Sequence, residues 1–282
     1  MSEARTAGPV GLVLARPARL LGVEPFFMEF IAGIEERLAE RDLSLLLHVV
    51  ADHDAEIAAY RRWARQGMVA ATVLVNRTAD DPRPAELAAL GLPAVVVGEP
   101  DAGLPAVRTD DAAPVRAAAA HLLALGHRRI ARVSGPGALL HTRARATALA
   151  EACAAEGVEP VTVEGDYSEQ SGAAATEDLL DRDRPPTAIL YDNDVMAVAG
   201  LGAAKARGVD VPGRLSLIAW DDSTLCRLAS PDLTTMSVDV HRFGGVVADS
   251  VLDLLAGRPV PERWSPAAVL SARGSTGPAP AE

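Results

Sequence analysis

Short apolar runs alternate with amphipathic stretches along most of the chain. Val10–Leu14 and Leu43–Val50 are runs of strand length, and the second is nearly continuous, which is typical of a strand covered on both faces. The helix predicted after Pro25 has one apolar face, formed by Phe27, Phe30, Ile31, Ile34 and Leu38. The regular alternation of strands and helices predicts an α/β fold with doubly wound parallel sheets.

The alternation restarts at residues 130–133, after a region rich in glycine, proline and aspartate that spans residues 98–114. This restart predicts two similar lobes rather than one long sheet. Residues 98–114 and the proline-rich residues 258–266 are predicted as loops. The tail from Gly274 is small and polar, so it is predicted to fray.

One strand–helix–strand unit, residues 186–222, places several polar side chains just past strand ends. A buried strand, Ala188–Tyr191, leads into the polar turn Asp192–Asp194 and a helix closed by Gly208. A second buried strand ends in Asp221 and Asp222. Because ligands bind at the carboxyl edge of an open parallel sheet, this unit is predicted to form part of a binding site.

Composition and charge exclude several classes of function. The chain has 282 residues, a net charge of -11 and a single lysine, Lys205. An acidic surface repels phosphate backbones, so the chain is not expected to bind nucleic acid by itself. The single lysine argues against P-loop chemistry and most Schiff-base chemistry.

Motifs for enzymatic chemistry are absent from the sequence. The six histidines form no H-E-x-x-H pattern, no Cys/His cluster has zinc spacing, and no serine lies in a G-x-S-x-G elbow. Asp221 and Asp222 are neighbours, which point to opposite faces of a strand and are poorly placed as a catalytic pair. The chain is therefore predicted not to be an enzyme and to need no metal or cofactor.

The N-terminal sequence and the cysteines indicate a cytoplasmic protein. Residues 1–10 show no apolar region of a secretory signal, and no apolar run is long enough for a membrane span. Cys153 and Cys226 are predicted to be reduced thiols in the core.

The polar and aromatic residues past the strand ends suit a polyhydroxylated ligand. Planar Arg, Asn and Asp groups form paired hydrogen bonds with neighbouring hydroxyls, and an aromatic face covers the apolar side of a sugar ring. In the second lobe the candidate ligand-binding residues are His141, Arg145, Tyr167, Asn193, Trp220 and Asp221. In the first lobe they are Phe26 and Phe27, with Arg16 nearby.

Several of these residues also have ordinary structural explanations. Asn193 is equally suited to cap the helix that follows it, and Tyr167 and Phe27 to pack in a core. Arg143 and Arg145 do not share one helical stripe, so one of them is expected on the surface, and Arg145 is favoured as the functional one.

The chain resembles the effector-binding core of the lactose-repressor/galactose-repressor (LacI/GalR) family of bacterial transcription regulators. The resemblance covers residues 8–276 and is carried by GLVLARP, EPFFMEFIAGIEERLAERDLSLLL, VRTDDAAPVRAAAAHLLALGHRRIARVSGP, EGDYSEQSG, DNDVMAV, VPGRLSLIAWDD, SPDLTTMSVDV and ARGST. It implies two Rossmann-like lobes joined by three crossover segments, as in periplasmic sugar-binding proteins, with the effector between the lobes.

The resemblance also implies roles for individual residues. Tyr167 matches the stacking aromatic after E-G-D, Arg145 the arginine of the segment after S-G-P, and Asn193 the asparagine of the N-D motif. Asp221 matches the first aspartate of the D-D pair, and Asp110 is a further match. Phe26 and Phe27 match the P-F-F that faces the cleft from the first lobe.

The chain departs from the family pattern at three places near the predicted site. Asp192 stands where alanine is customary and adds a charge at the cleft edge. Ala148 and Leu149 replace the usual Gly-Tyr or Gly-Phe. The loop before Pro25 is longer than usual, so no family role is transferred to Arg16. No particular sugar is therefore named from the sequence.

The implied division of the chain is a headpiece-proximal, dimerising lobe of residues 8–120 and 239–264, and a second lobe of residues 121–238 and 265–275. Residues 276–282 form the flexible tail. Family members begin with a helix-turn-helix headpiece, whereas the first strand here starts at Val10. The expected partners are a small-molecule effector of the carbohydrate class, a second copy of the chain in a homodimer, and operator DNA only through the missing headpiece, with no membrane.

The resulting hypothesis is an effector-sensing core in which closure of the cleft controls DNA binding. The alternative is a free-standing sugar- or solute-binding protein of the same fold, which a signal peptide upstream in the gene would support and a helix-turn-helix would eliminate. An enzyme on this scaffold is a third alternative, and turnover of a sugar would support it.

Overall fold

The computed structural model describes residues 8–16 and 24–281 and shows two compact units. Unit 1 comprises the described residues up to Thr109 together with Asp239–Pro266, and unit 2 comprises the described residues of Asp110–Val238 and from Ala267 onward. The chain therefore passes between the units three times, as the resemblance implies. Among the described residues, no helix is long and apolar enough to cross a membrane.

Unit 1 is built on a six-stranded parallel sheet with the strand order β11-β5-β4-β3-β1-β2. Its strands are β1 (Val10–Ala15), β2 (Leu45–Val50), β3 (Ala71–Leu74), β4 (Ala94–Val97), β5 (Ala106–Arg108) and β11 (Arg263–Trp264). Its helices among the described residues are α1 (Pro25–Ala39), α2 (His53–Gln66), α3 (Arg83–Ala89) and α9 (Val240–Leu255).

Unit 2 is built on a second six-stranded sheet with the order β12-β10-β9-β8-β6-β7, parallel except that β12 runs antiparallel to β10. Its strands are β6 (Ile130–Ser134), β7 (Val161–Glu164), β8 (Ala188–Tyr191), β9 (Ser216–Trp220), β10 (Thr234–Ser237) and β12 (Val269–Ser271). Its helices are α4 (Ala112–Ala124), α5 (Leu140–Ala154), α6 (Glu169–Leu180), α7 (Asp194–Ala206) and α8 (Thr224–Leu228). The predicted fold class is confirmed.

The apolar face predicted for the first helix, α1, packs against α9, which follows the point where the chain re-enters unit 1. Phe30 of α1 is buried, and its ring lies 5.2 Å from that of Phe243 in α9. The two helices approach so closely that a Cβ on Gly244 would lie 2.2 Å from the carbonyl oxygen of Phe30. Glycine is therefore required at this crossing, since a larger residue would force the helices apart.

The prediction that Leu43–Val50 is covered on both faces is wrong. β2 is an edge strand, its residues are only partly buried, and Leu47 is exposed. A run of apolar residues shows that a segment is a strand, but it does not show where in the sheet that strand lies. β5 and β11 lie within segments predicted as loops, because strands of two or three residues leave no readable period.

The division between the units differs from the predicted boundary at residue 120. Unit 2 already begins at Asp110. The reason lies in α4, whose Val115 and Leu122 pack in the same core as Leu149 and Cys153 of α5. A boundary at residue 120 would cut through this helix.

The prediction that the tail from Gly274 frays is wrong for residues 275–279. The Ser275 hydroxyl accepts a hydrogen bond from the Thr234 N–H (2.8 Å) and donates one to the Leu217 carbonyl (2.7 Å), and Ser275 is fully buried. The N–H groups of Gly277 and Ala279 donate to Ser216 Oγ and to the Leu125 carbonyl. Small residues that cannot form a core of their own are thus held by hydrogen bonds to β9, β10 and the end of α4.

Candidate functional site

The carboxyl ends of three neighbouring strands in unit 2 bring the predicted polar residues together. β9, β8 and β6 are adjacent in the sheet, and their parallel direction places the residues that follow them at one edge. We call this the unit 2 edge: the residues just after β6, β8 and β9, with the start of α5 and the loop before α6. Five of the six candidates predicted in the second lobe lie on these segments, and the sixth, Trp220, is the last residue of β9.

A buried ion pair connects the segments of the unit 2 edge. Arg132 Nε and Nη2 donate to the two carboxylate oxygens of Asp192 at 2.8 and 2.5 Å, and both side chains are shielded from solvent. Arg132 Nη2 also donates to the Thr142 carbonyl in the first turn of α5, and the Gly135 N–H donates to Asp192. The charge that Asp192 adds to the family pattern is therefore balanced by Arg132, and the pair fixes the ends of β6 and β8 against α5.

Arg145 is held by a carboxylate, an aromatic ring and a carbonyl. Its Nε and Nη2 lie 2.9 and 2.8 Å from Asp111 Oδ1, and its Nη1 lies 3.4 Å from the Asp192 carbonyl oxygen. The guanidinium carbon lies 3.6 Å from the centroid of the Trp220 ring. One face of Trp220 is therefore covered by Arg145, and the ring orients the guanidinium by a cation–π contact.

His141 and Tyr167 form a second polar contact at this edge. His141 Nε2 lies 2.8 Å from the Tyr167 hydroxyl oxygen. Burial, together with the nearby positive charge of Arg145, lowers the pKa of His141 to about 4, so the ring is neutral at pH 7. The Tyr167 ring lies against Gly135, where an added Cβ would come within 2.1 Å of it. A glycine in the loop after β6 thus makes room for this aromatic ring.

Asn193 has the helix-capping role that its sequence position allows. Its Oδ1 accepts from the Met196 N–H (2.9 Å) in the first turn of α7, and its Nδ2 donates to the Tyr167 carbonyl (3.0 Å). The cap is confirmed, and the second bond ties the loop before α6 to the end of β8. The predicted contact of Asn193 with a ligand stays a prediction.

Asp221 and Asp194 have buried carboxylate oxygens with no hydrogen-bond partner. Asp221 Oδ1 and Asp194 Oδ2 are both in this state, and Asp221 is 8% exposed. Burial, and next the nearby Asp194, raise the pKa of Asp221 to about 8; burial also raises the pKa of Asp194. A buried polar atom without a partner is costly unless a ligand completes its bonds, so Asp221 is the strongest candidate contact at the edge.

Backbone strain coincides with this site. Tyr167 and Asp221 have φ values of 70° and 68°, in the left-handed region that residues other than glycine rarely adopt. Asp42, Asn76, Asp80 and Ala102 of unit 1 also have positive φ values, so the strain at the edge supports the candidate site only together with the burial of Asp221.

Asp222, next to Asp221, and Asp110, next to Asp111, both have hydrogen-bond partners within the protein. Asp222 forms two hydrogen bonds with Arg273, at 2.8 and 2.7 Å, whereas the next helix is capped by Ser223. Asp110 accepts from the N–H groups of Ala112 and Ala113, and so satisfies the start of α4. A ligand contact by Asp110 stays a prediction.

The candidates of unit 1 differ from each other in burial. Phe27 is 4% exposed, and the Arg16 guanidinium carbon lies 4.6 Å from its ring centroid. Phe26 is only partly buried and stacks 6.0 Å from Phe30. The core explanation for Phe27 is confirmed, and Phe26 is the more accessible ring of the predicted P-F-F pair.

Sequence reasoning missed three residues that shape the unit 2 edge. Arg132 lies inside a strand where an apolar residue is expected, and this is the one signal that it needs a buried partner. Asp111 holds Arg145, yet it is adjacent to the predicted Asp110 and indistinguishable from it by type. Asp194 lies in the polar turn Asp192–Asp194, but its sequence position alone does not identify it as a site residue.

Comparisons with known proteins agree with the fold and identify the family of the chain. The family described as "Periplasmic binding protein-like domain" matches residues 119–276. The HTH-type transcriptional regulator AglR of Rhizobium meliloti is 32% identical over 285 aligned residues, which cover 96% of this chain and 78% of AglR.

Two solved structures resemble nearly the full length of the chain. A LacI family transcriptional regulator from Bifidobacterium animalis superposes with a TM-score of 0.88 at 36% identity, covering 96% of this chain and 98% of that one. The transcriptional regulator CelR in complex with cellobiose superposes with a TM-score of 0.86 at 29% identity, covering 95% and 84% of the two chains.

The Arg132–Asp192 pair predicts a non-additive effect on stability. Asp192→Ala leaves the Arg132 charge buried without its partner, so the free energy of unfolding should fall by about 3–5 kcal/mol. Adding Arg132→Met should recover most of that loss, because neither charge is then buried alone. Denaturant unfolding of the two single variants and the double variant measures the coupling. Additive losses in the double variant would contradict the pair.

The raised pKa of Asp221 predicts a pH dependence of stability. In the unfolded chain an aspartate titrates near ~3.9, whereas in the folded protein Asp221 keeps its proton up to a pH of about 8. The stability that protonated Asp221 contributes is therefore fully present below pH ~4 and is lost as the pH rises toward and through 8. Between about pH 5 and 8 the wild type should lose stability relative to Asp221→Asn, which does not titrate.

The control for this experiment is Asp178→Asn, at an exposed carboxylate of α6 that pairs with Arg182. Its stability should follow that of the wild type across the same pH range. A stability difference between wild type and Asp221→Asn that does not change with pH would refute the assignment.

Proposed function

The chain belongs to the LacI family of transcriptional regulators and spans the effector-binding core, and from this premise we propose that it senses a sugar at the unit 2 edge. The observation that carries the proposal is the convergence of Asp221, Arg145, Asn193 and Tyr167 on that edge. It combines a carboxylate that lacks a partner, an oriented guanidinium and an aromatic ring, which suit a ligand of many hydroxyl groups.

The individual residues have different roles in this proposal. Asp221 accepts hydrogen bonds from sugar hydroxyls, since its Oδ1 has no partner in the protein. Arg145 offers the guanidinium hydrogens that Asp111 does not use. Tyr167 supplies an aromatic surface, and His141 orients it. Trp220 positions Arg145, whose guanidinium covers its ring, and Asn193 positions Tyr167, whose carbonyl accepts from its Nδ2. Both residues are proposed mainly to orient these two neighbours.

The relatives support a sugar as effector. CelR, which has the same fold, was solved with cellobiose, and a structural neighbour from Enterococcus faecium, 25% identical to this chain, was solved with ribose. These ligands belong to those proteins. They show that scaffolds of this shape hold mono- and disaccharides.

We further propose that effector binding favours a closed arrangement of the two lobes and thereby alters DNA binding by a headpiece. A ligand shifts such an equilibrium only by its difference in affinity between the two states, and operator DNA would shift effector affinity by the same factor. Action on DNA implies a cytoplasmic protein. The family resemblance implies a homodimer formed by unit 1, which would place α2 and α3 at the contact.

A thermal-shift screen with mono- and disaccharides tests this function. A sugar bound with high affinity should raise the melting temperature, and the rise should grow with the logarithm of its concentration relative to Kd. Arg145→Ala should abolish that shift while the far-ultraviolet circular dichroism stays native. Arg143→Ala is the matched control: this exposed arginine lies two residues away on the same helix, and its loss should leave the affinity unchanged.

Two results would contradict the proposal. Equal sugar affinity of Arg145→Ala and the wild type would remove Arg145 from the site. The absence of any shift across a broad panel, in a protein that is folded, would argue against sugar sensing itself.

A further inference from the structure

We infer that the effector of this protein carries no phosphate or carboxylate group. The inference rests on the proposed function, because it concerns the class of effector that binds at the unit 2 edge. It follows from how the positive charges and backbone N–H groups of that edge are already used.

Both arginines at the edge are matched by carboxylates of the protein. Arg132 holds Asp192 with two bonds, and Arg145 holds Asp111 at 2.8 and 2.9 Å. An anionic effector would have to compete with a carboxylate that is already in place and needs no ordering. Uncompensated positive charge, which sites for phosphate rely on, is therefore not available from these two residues.

The glycine-rich loop after β6 has the composition of a phosphate cradle, but its N–H groups are taken by acidic side chains. The Gly135 N–H donates to Asp192 Oδ2 and the Gly137 N–H to Glu164 Oε1, both at 3.0 Å, and Pro136 between them has no N–H. The start of α7 is used in the same way, since Met196 and Val195 donate to Asn193 and Asp194. Two places where a backbone could bind phosphate are thus filled.

Among the described residues, four buried side-chain atoms at the edge have no partner: the carboxylate oxygens Asp221 Oδ1 and Asp194 Oδ2, the Thr142 hydroxyl, and Nη1 of Arg132, whose charge is already matched by Asp192. The carboxyl groups of Asp221 and Asp194 repel an incoming anion when they are ionised, which for Asp221 is the case above a pH of about 8. Sugar hydroxyls, in contrast, donate to such oxygens at no cost in charge. Arg143 is exposed and donates to the Gly137 carbonyl, so water screens its charge. The described residues therefore favour hydroxyl groups over anionic ones.

Calorimetric titration with matched pairs of ligands tests the inference. Each neutral sugar is compared with its anionic counterparts: glucose with glucose 6-phosphate and glucuronate, ribose with ribose 5-phosphate, and cellobiose and maltose with their phosphates. At least one neutral sugar should bind, and its anionic counterpart should bind at least about tenfold more weakly, because the arginines and loop N–H groups of the edge already have carboxylate partners.

The outcomes separate the inference from the proposed function. An anionic member that binds as tightly as its neutral partner, or more tightly, overturns the inference and leaves sugar sensing intact. No binding by any member of the panel contradicts sugar sensing, and the inference falls with it.

Two variants test the electrostatic cause. Asp221→Asn and Asp194→Asn keep the size of the side chain and remove the group that ionises, so at pH 9, above the pKa of Asp221, the ratio of neutral to anionic affinity should shrink severalfold in at least one of them. The control Asp178→Asn removes an exposed charge of α6 and should leave the ratio unchanged. An unchanged ratio in both edge variants would overturn the argument from the unpartnered carboxylates.

Discussion

The geometry of the unit 2 edge depends on the buried pair of Arg132 and Asp192. Strands of a parallel sheet bring their carboxyl ends to the same edge, but the loops that follow them are not fixed by the sheet. The pair joins the end of β6, the end of β8 and the first turn of α5, and the Asp192 carbonyl also meets Arg145. An ion pair of this kind stabilises little in total, since both charges lose their water, but it leaves few alternative arrangements.

The rest of the edge is arranged around that fixed corner in layers. Asp111 and Trp220 orient Arg145, and Asn193 and Gly135 hold the backbone and the ring of Tyr167. Asp221 is the exception, since its backbone is strained and one of its oxygens has no partner. Asp194 Oδ2, Arg132 Nη1 and Thr142 Oγ1 are also buried without partners, but their residues lack the strained backbone of Asp221. Asp221 is therefore singled out by the combination of a strained backbone and an unpartnered carboxylate oxygen.

Most of the fold could be predicted from the sequence. For the site, the sequence predicted which residues gather at the edge but not which residues they pair with. Periodicity located most helices and strands, because a helix face such as that of α1 repeats over many residues. It failed for β5 and β11, which are too short to show a period, and for β2, whose apolar run does not reveal its edge position. The tail was misjudged for a related reason: Ser275 is held by bonds to distant strands, and composition carries no sign of them.

The sequence by itself determined the class of fold, the family and the strand ends at which polar residues gather. These properties are local, since spacing and short motifs record them directly. Only the tertiary structure decided what each polar residue does. It paired Arg132 with Asp192, gave Asp111 rather than Asp110 to Arg145, and left Asp221 unpartnered. Partners far apart in the chain meet only after the sheet has formed, so the balance of charge at this edge is a property of the folded protein.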